Sequence, residues 1–478
     1  MQTISNIIWR LMEKVGVQIA ELIITIIVAR IIGPKAYGTL AIILSIIAIL
    51  NVFVDGGLAS ALVQKKDIDD VDIASVFFFN IFFCVVIYIG LYMAAPYIAS
   101  FYRKNDLVAM IRIAGLIIII SGVKNVQQAI ITRYLQFKKF FWATIIGTFI
   151  SAIIGINMAL RGWGTWSLIV QVVSNALIDT VILWLRSQWK PRFVFSLKKL
   201  KVLLSYGIRI MFSNFIDVLY GNMRQLLMGR YYSDADLAFY NRGRSLPKAF
   251  IENINASIDN VIFPVISIDQ DNPIRVKEIV RKTIVVSNYL ITPLLMFMFV
   301  AAEGIIKLLL TEKWLDCVFY MRVFCVIYIF QPIHTANINA LKAMGKSNYV
   351  LRIEVIKKIV GVSTFLLVIP YGMKAIMWAY LANNFFDQLV NSYPNKRMIG
   401  YSYFNQIIDI MPCILSALIL GSVSWWIGKI NIGFVMILVL QFLIVALYFA
   451  ISIVFKFESY KYIKEIIRQY IKNIKRHV

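Results

Sequence analysis

The sequence predicts an all-α integral membrane protein. About fourteen transmembrane helices are expected, as two six-helix bundles related by a pseudo-two-fold along the membrane normal, plus two C-terminal helices. Three observations predict this. Of the 478 residues, 60% are hydrophobic and 15% charged, against about 25% charged in soluble domains, and mean hydropathy is +0.76. Apolar runs of roughly 20 residues recur along the chain, the length a helix rising 1.5 Å per residue needs to cross a bilayer. Lysine and arginine alternate between rich and poor loops.

The first half begins with spans Val15–Ile32, Leu40–Ala61 and Ala74–Ala95. Val108–Ile131, Phe141–Leu160 and Trp166–Leu185 complete it. The second half holds Val202–Met228, Leu237–Ile266, Thr283–Glu303, Cys317–Leu341, Val350–Pro370 and Lys374–Val390. Ile407–Ile427 and Ile432–Phe455 close the series. The expected domains are an N-terminal bundle (1–185), a basic cytoplasmic connector (186–201) and a C-terminal bundle (202–395). Helices 13 and 14 (396–455) and a basic amphipathic cytoplasmic tail (456–478) follow.

Loop charges orient the spans. The inside loops hold Lys65/Lys66, Arg133/Lys138/Lys139, the connector cations, Arg275/Lys277/Arg281/Lys282, Lys342/Lys346 and Lys396/Arg397. Outside loops carry one or two cations each, among them Lys35, Arg161, Arg230, Lys307 and Lys429. Both termini are therefore expected in the cytoplasm. In the tail, Ile463, Ile466, Ile467, Tyr470, Ile471 and Ile474 share a face among lysines and arginines. That pattern suits a helix on an anionic leaflet, with a partner-binding helix as the rival.

Composition also excludes. The formal charge is +24, but the cations lie in short loops between apolar runs, so nucleic-acid binding is not expected. Four cysteines and two histidines form no metal-ligand spacing, and no cofactor or metal is expected. No small-residue cleavage site follows a short apolar core near the start, so the first helix is expected to remain.

An internal repeat supports the division into halves. Val28-Ala-Arg-Ile-Ile-Gly-Pro-Lys-Ala-Tyr-Gly38 resembles Met228-Gly-Arg-Tyr-Tyr-Ser-Asp-Ala-Asp-Leu-Ala238, with Arg30 and Arg230 in matching places.

Polar faces mark the candidate site. In the eighth span Asn241, Arg244, Lys248, Glu252, Asn255 and Asp259 fall within a sector of roughly 80° at 100° per residue. Leu246, Phe250, Ile254, Ile258 and Val261 lie opposite. Arg10, Lys14, Gln18, Glu21 and Thr25 share a face of the first span, and Arg209, Ser213, Asp217, Tyr220 and Arg224 one of the seventh. Asn51 and Asp55 add a smaller polar edge before Gly56-Gly57. A cation at the bilayer centre costs roughly 2.5–3.5 kcal/mol on insertion scales, so these faces need water, counter-charges or an anionic ligand. One reading is a central cationic cavity; the other is neutralisation of Lys248 by Glu252 at i,i+4 and, for Arg10 and Lys14, anchoring at the inner surface. Arg112, Lys124, Asp179 and Arg322 read as isolated intramembrane charges, and His334 as a residue hydrogen-bonded in place.

The stretch Ile32-Gly-Pro-Lys-Ala-Tyr-Gly38, followed by Phe53-Val-Asp-Gly-Gly-Leu-Ala-Ser-Ala-Leu-Val-Gln-Lys-Lys66, resembles the opening of the Wzx-type polysaccharide flippases. Ala238-Phe-Tyr-Asn-Arg-Gly-Arg-Ser-Leu-Pro247, ending in Val261-Ile-Phe-Pro-Val-Ile-Ser267, is similar to that family's second signature. The family belongs to the multidrug/oligosaccharidyl-lipid/polysaccharide (MOP) exporter superfamily. The resemblance implies a non-enzymatic flippase for an undecaprenyl-pyrophosphate-linked oligosaccharide. It would work in the bacterial inner membrane by alternating access through a cationic central cavity. Membrane lipids and polysaccharide polymerase machinery are the further partners considered. Arg209, Arg224, Arg244 and Lys248 are the candidate substrate contacts. Glu21, Asp217, Glu252 and Asp259 are candidates for proton or sodium coupling, or simply counter-charges. The alternatives are a multidrug extruder or a lipid II flippase of the same fold.

Overall fold

The computed structural model describes the backbone of residues 2–187, 189–429, 434–455 and 457–464. Side chains are described from residue 16 onward, except those of 188, 253, 256–261, 430–435, 456 and 465–478. The described residues form helices and loops, with no strand among them.

The chain opens with α1 (Gln2–Ile31), α2 (Pro34–Asp55), α3 (Leu58–Gln64), α4 (Asp70–Tyr102), α5 (Leu107–Arg133), α6 (Phe137–Leu160), α7 (Thr165–Arg186) and α8 (Leu197–Tyr231). It continues as α9 (Asp234–Ile268), α10 (Pro273–Val300), α11 (Ala302–Leu310), α12 (Cys317–Ile329), α13 (Gln331–Ala343), α14 (Ser347–Val368), α15 (Met373–Ile399), α16 (Tyr403–Ile427) and α17 (Phe434–Val454). Among the described residues ten stretches are long and apolar enough to cross a membrane; the protein is a multi-pass membrane protein.

The helices coincide with the expected spans, but α1, α9, α14 and α15 are not among these ten, so the expected count of about fourteen is not reached by length and apolarity alone. Three expected spans are broken. The second stops at Asp55 and resumes at Leu58, because Gly56 (φ 49°) and Gly57 (φ 64°) both take the left-handed conformation that glycine tolerates at little cost. The ninth breaks at Ala301. The tenth breaks at Phe330, just before Pro332, whose ring cannot continue the hydrogen-bond ladder.

Contacts divide the chain into two compact units, Met1–Ala238 and Phe239–Val478. In the first, α6 packs along α7, α4 along α5, α1 along α6 and α2 along α8. A core from α3, α4, α5 and α8 gathers Leu58, Leu62, Phe77, Val126 and Leu203, with Trp184 and Trp189 at its edge. Loop cations have structural work at this end. Arg133 donates to the carbonyls of Leu62 (2.9 Å), Lys65 (2.6 Å) and Lys66 (2.6 Å), closing the end of α3. Asp69 caps α4 in a reciprocal box with Asp72. Hydrogen bonds from Lys199 and from the Asp72 backbone hold the Asp69 carboxyl down at about 2.

In the second unit, α10 packs on α12, α13 and α16, and α14 on α15. Ile266, Ile284, Ile333, Ala340 and Ile410 form its core. Beside them runs a fully buried polar network. Asn337 Nδ2 donates to Gln406 Oε1 at 2.8 Å, and Asn395 Nδ2 donates to Asn337 Oδ1 at 2.7 Å.

A short helix at residues 458–464 is locked onto this unit. Arg281 of α10 grips Asp409 of α16 (Nε–Oδ2 2.9 Å, Nη2–Oδ1 2.9 Å) and also Glu458 (Nη1–Oε1 2.6 Å, Nη2–Oε2 2.7 Å). Tyr401 donates to Asp409 at 2.7 Å, and Tyr462 donates to Glu458. The hydrogen bond from Arg281 lowers the Glu458 carboxyl. Burial, then the hydrogen bond to Glu458, pushes the Tyr462 phenol up to about 12, so it remains a donor at neutral pH. The rest of the basic tail lies outside the described residues. All four cysteines, Cys84, Cys317, Cys325 and Cys413, are free and buried.

Candidate functional site

In the first unit the candidate residues lie on α1 and α8. Glu21 is exposed on α1; Arg10 and Lys14, its expected companions, have side chains outside the described residues. Helix α8 is buried at its two ends, by Leu200, Leu203 and Gly207 and then by Met228 and Gly229. Between Gly207 and Met228 none of its residues is buried. Arg209 and Asp217 are exposed along this open stretch, and Arg224 is half-buried. Arg224 donates from Nη2 to the Tyr220 hydroxyl at 3.3 Å. Its end of the helix is pinned by Gln225 donating to the Ala41 carbonyl (2.7 Å) and Tyr102 to the Leu226 carbonyl (3.1 Å).

Gly207, two residues before Arg209, meets the α2–α3 break. A Cβ on Gly57 would lie 2.3 Å from the Gly207 carbonyl oxygen, and one on Gly207 would lie 2.7 Å from the Gly56 oxygen. The paired glycines thus bring two backbones into contact beside Asp55 and Arg209.

The repeat noted in the sequence has a structural counterpart. The turn Ile32-Gly33-Pro34 between α1 and α2 and the turn Tyr232-Ser233-Asp234 between α8 and α9 have the same conformational pattern. Asp234 binds Thr39 (2.9 Å) and Lys104, and Gly38 lies flat on its backbone, with only 1.8 Å between an added Cβ and the Asp234 oxygen.

In the second unit the site is built on α9. Gly243 is the pivot: a Cβ there would lie 2.5 Å from Tyr320 Cβ and 2.7 Å from the Met321 nitrogen, so only glycine allows α9 to press on α12. The flanking arginines then diverge. Arg242 faces the buried Trp314 ring at 6.0 Å. Arg244 lies among Tyr240, Tyr328 and Tyr380, within hydrogen-bonding reach of Tyr328. The cage is braced by ring contacts of Phe324 with Tyr240 (5.4 Å), Tyr328 (5.9 Å) and Tyr380 (5.8 Å). Among the described residues Arg244 has no carboxylate partner, and its buried Nε has no acceptor. Buried Asn241 Nδ2 and Asn255 Oδ1 on the same face also lack partners among the described residues.

Lys248 and Glu252 form the i,i+4 pair, 3.0 Å apart with side chains 40% and 59% exposed. The Lys248 charge is thus partly offset, and Arg244 becomes the principal cation of the stripe. The Asp259 side chain lies outside the described residues. Two charges expected to be isolated are not: Lys124 and Asp179 pair at 2.9 Å. His334 is hydrogen-bonded to Asn391 at 2.6 Å. The tyrosine cage was missed in the sequence; only Tyr240, one helical turn from Arg244, carried a local signal.

Comparison with known structures defines the class. The fold matches that of the lipid II flippase MurJ in an inward closed conformation, at TM-score 0.75 and 15% identity, over 94% of this chain and 99% of that one. The likeness is one of fold, a bundle of membrane-spanning helices. The family model for polysaccharide biosynthesis proteins matches residues 27–319, and the chain belongs to that family. Among curated relatives, the succinoglycan biosynthesis transport protein ExoT of Rhizobium meliloti is 25% identical over 312 residues. That match takes in 65% of this chain but only 63% of ExoT, less than two thirds of its length. The lipopolysaccharide biosynthesis protein WzxC of Escherichia coli is 21% identical over 428 residues, 87% of this chain and 85% of WzxC.

Proposed function

We propose that this protein is a flippase for an undecaprenyl-pyrophosphate-linked oligosaccharide, a polysaccharide repeat unit, and that it acts in the bacterial inner membrane by alternating access. The observation that carries the reading is Arg244, held in a tyrosine cage with no carboxylate partner among the described residues, in a member of the polysaccharide biosynthesis family. A pyrophosphate supplies the missing counter-charge, and a guanidinium takes its oxygens in charge-assisted, often bidentate hydrogen bonds. The neighbouring phenols and amides suit sugar hydroxyls. Arg209, Arg224 and Lys248 are the further proposed contacts, while the polyprenyl tail stays in lipid.

The loop charges support an even number of spans, about fourteen, with both termini in the cytoplasm. Outward movement of a negative charge then runs down an inside-negative potential, worth about 2.3 kcal/mol per charge per 100 mV if the whole field is crossed. Glu21, Asp217, Glu252 and Asp259 are the groups through which a proton or sodium gradient would add to it. The chemistry is translocation, with no bond made or broken.

Transbilayer movement of a labelled polyprenyl-pyrophosphate oligosaccharide in proteoliposomes tests the proposal. Movement with wild type and none with the Arg244→Ala/Lys248→Ala protein is the expected result. Movement with both discards these contacts. Movement of lipid II alone, or export of a cationic dye alone, replaces the substrate by that of the corresponding alternative.

A further inference from the structure

A polar cavity lies in the second unit, with no α9 residue in its lining. It has a volume of about 270 Å³ and opens where the α10–α11 break meets α16 and α17. Its polar wall consists of Glu303, Lys307, Arg322, Trp425, Lys429 and Gln441. Glu303 and Lys307 pair at 3.1 Å and largely cancel. Arg322 and Lys429 have no carboxylate partner among the described residues. Arg322 donates from Nε to the Phe299 carbonyl (3.1 Å), and the Lys429 ammonium sits 3.7 Å above the Trp425 ring. Neither contact engages all the donors of its group.

A second observation points to a ligand. Gln441 is 4% exposed. Its Nε2 reaches the Ser424 carbonyl at 3.4 Å, but its Oε1 is buried without a partner among the described residues. Such an oxygen is destabilising unless a donor reaches it. Two uncompensated cations and one buried acceptor on a single wall call for an anion that also carries a hydroxyl. The volume corresponds to roughly nine waters at about 30 Å³ each, which fits a headgroup. Beside the cavity α17 exposes Met436 (55%), Val439 (48%) and Leu443 (55%) at i, i+3 and i+7, an apolar track for acyl chains.

We infer that this cavity binds the headgroup of an anionic phospholipid carrying a hydroxyl, of the phosphoglycerol type. Arg322 and Lys429 take the phosphate, and Gln441 Oε1 accepts from the hydroxyl. In the proposed topology Lys307, on α11, and Lys429, just after α16, lie toward the outside, which places the lipid in the outer leaflet. The site is independent of the transported substrate.

Native mass spectrometry of the full chain in detergent tests the inference. The probes are phosphatidylglycerol, phosphatidylcholine with the same acyl chains, and soluble glycerol phosphate. Wild type is expected to retain phosphatidylglycerol about tenfold more tightly than phosphatidylcholine, with soluble glycerol phosphate weaker than the lipid. Arg322→Gln/Lys429→Gln is expected to erase that preference. Lys429→Gln alone changes an exposed side chain, leaves the fold in place and should reduce the preference several-fold. Equal retention of the two lipids by wild type overturns the inference, as does undiminished preference in Lys429→Gln. Binding of soluble glycerol phosphate as tight as that of the lipid overturns the lipid assignment.

Discussion

Two arginines in the second unit have opposite surroundings. Arg281 engages both Asp409 and Glu458, with Tyr401 and Tyr462 completing the carboxylates' hydrogen bonds. Arg244 lies among tyrosines, with Nε unengaged and no carboxylate partner among the described residues. The first is compensated within the protein and ties α10, α16 and the helix at 458–464 together. The second is left for a charge that the described protein does not supply. Counter-charge, more than basicity or position on a helix, separates an anchoring arginine from a receiving one.

The largest expected effect tests the receiving side. Arg244→Ala should lower translocation about 100-fold, within the 2–5 kcal/mol range for loss of one partner of a buried charged contact. Its melting temperature should change little. Arg281→Ala should do the reverse. It strands two carboxylates and should cost about 2–3 kcal/mol, less than the 3–5 of a fully buried pair, because the Arg281 side chain is 31% exposed and that of Asp409 16%. Thermal melts measure that loss, while translocation per folded molecule stays near wild type. If each variant showed the other's behaviour, the distinction would collapse.

Gly243→Ala sharpens the comparison by moving Arg244 without removing its charge. The added methyl must push α9 away from α12, at roughly 1–3 kcal/mol for overpacking. Translocation should fall several-fold, and a wild-type rate would show that the tyrosine cage does not position the guanidinium.

The smallest effect is one of pH. The folded-state Glu458 carboxyl is lowered by Arg281, so its stabilisation is fully present above the unfolded value of about 4.3 and is lost as pH falls through the lowered folded value. The stability gap between wild type and Glu458→Gln should be constant from about pH 7 to 5 and shrink below about pH 4. With the Glu458 side chain 46% exposed, the gap should stay at or below about 1 kcal/mol. A gap that widened on acidification would reverse the sign.

Local pattern carried much of this fold into the sequence. Apolar runs located the helices, the 100° periodicity placed Arg244 and Lys248 on one face, and the short repeat picked out the two matching turns. Helix breaks were harder. Gly56-Gly57 and Pro332 were visible, but whether such residues kink a helix or stop it depends on what packs against them, as Gly207 does at the first break. Pairings were least legible. Lys124 with Asp179, Arg281 with Asp409 and Glu458, and Arg244 with Tyr328 and Tyr380 join residues far apart in the chain. Periodicity within one helix says nothing about which charge on another helix will face it.

The buried cysteines bear on how such a membrane protein can be watched at work. Thiol reactivity requires access and thiolate character, and a buried thiol offers neither. With Cys84, Cys317, Cys325 and Cys413 all enclosed, a single cysteine introduced on the open face of α8, at Ser213 for example, stands out against a nearly silent background. The wild-type sequence thus accepts maleimide fluorophores, spin labels or accessibility reagents at a chosen position without first being stripped of its own sulfhydryls.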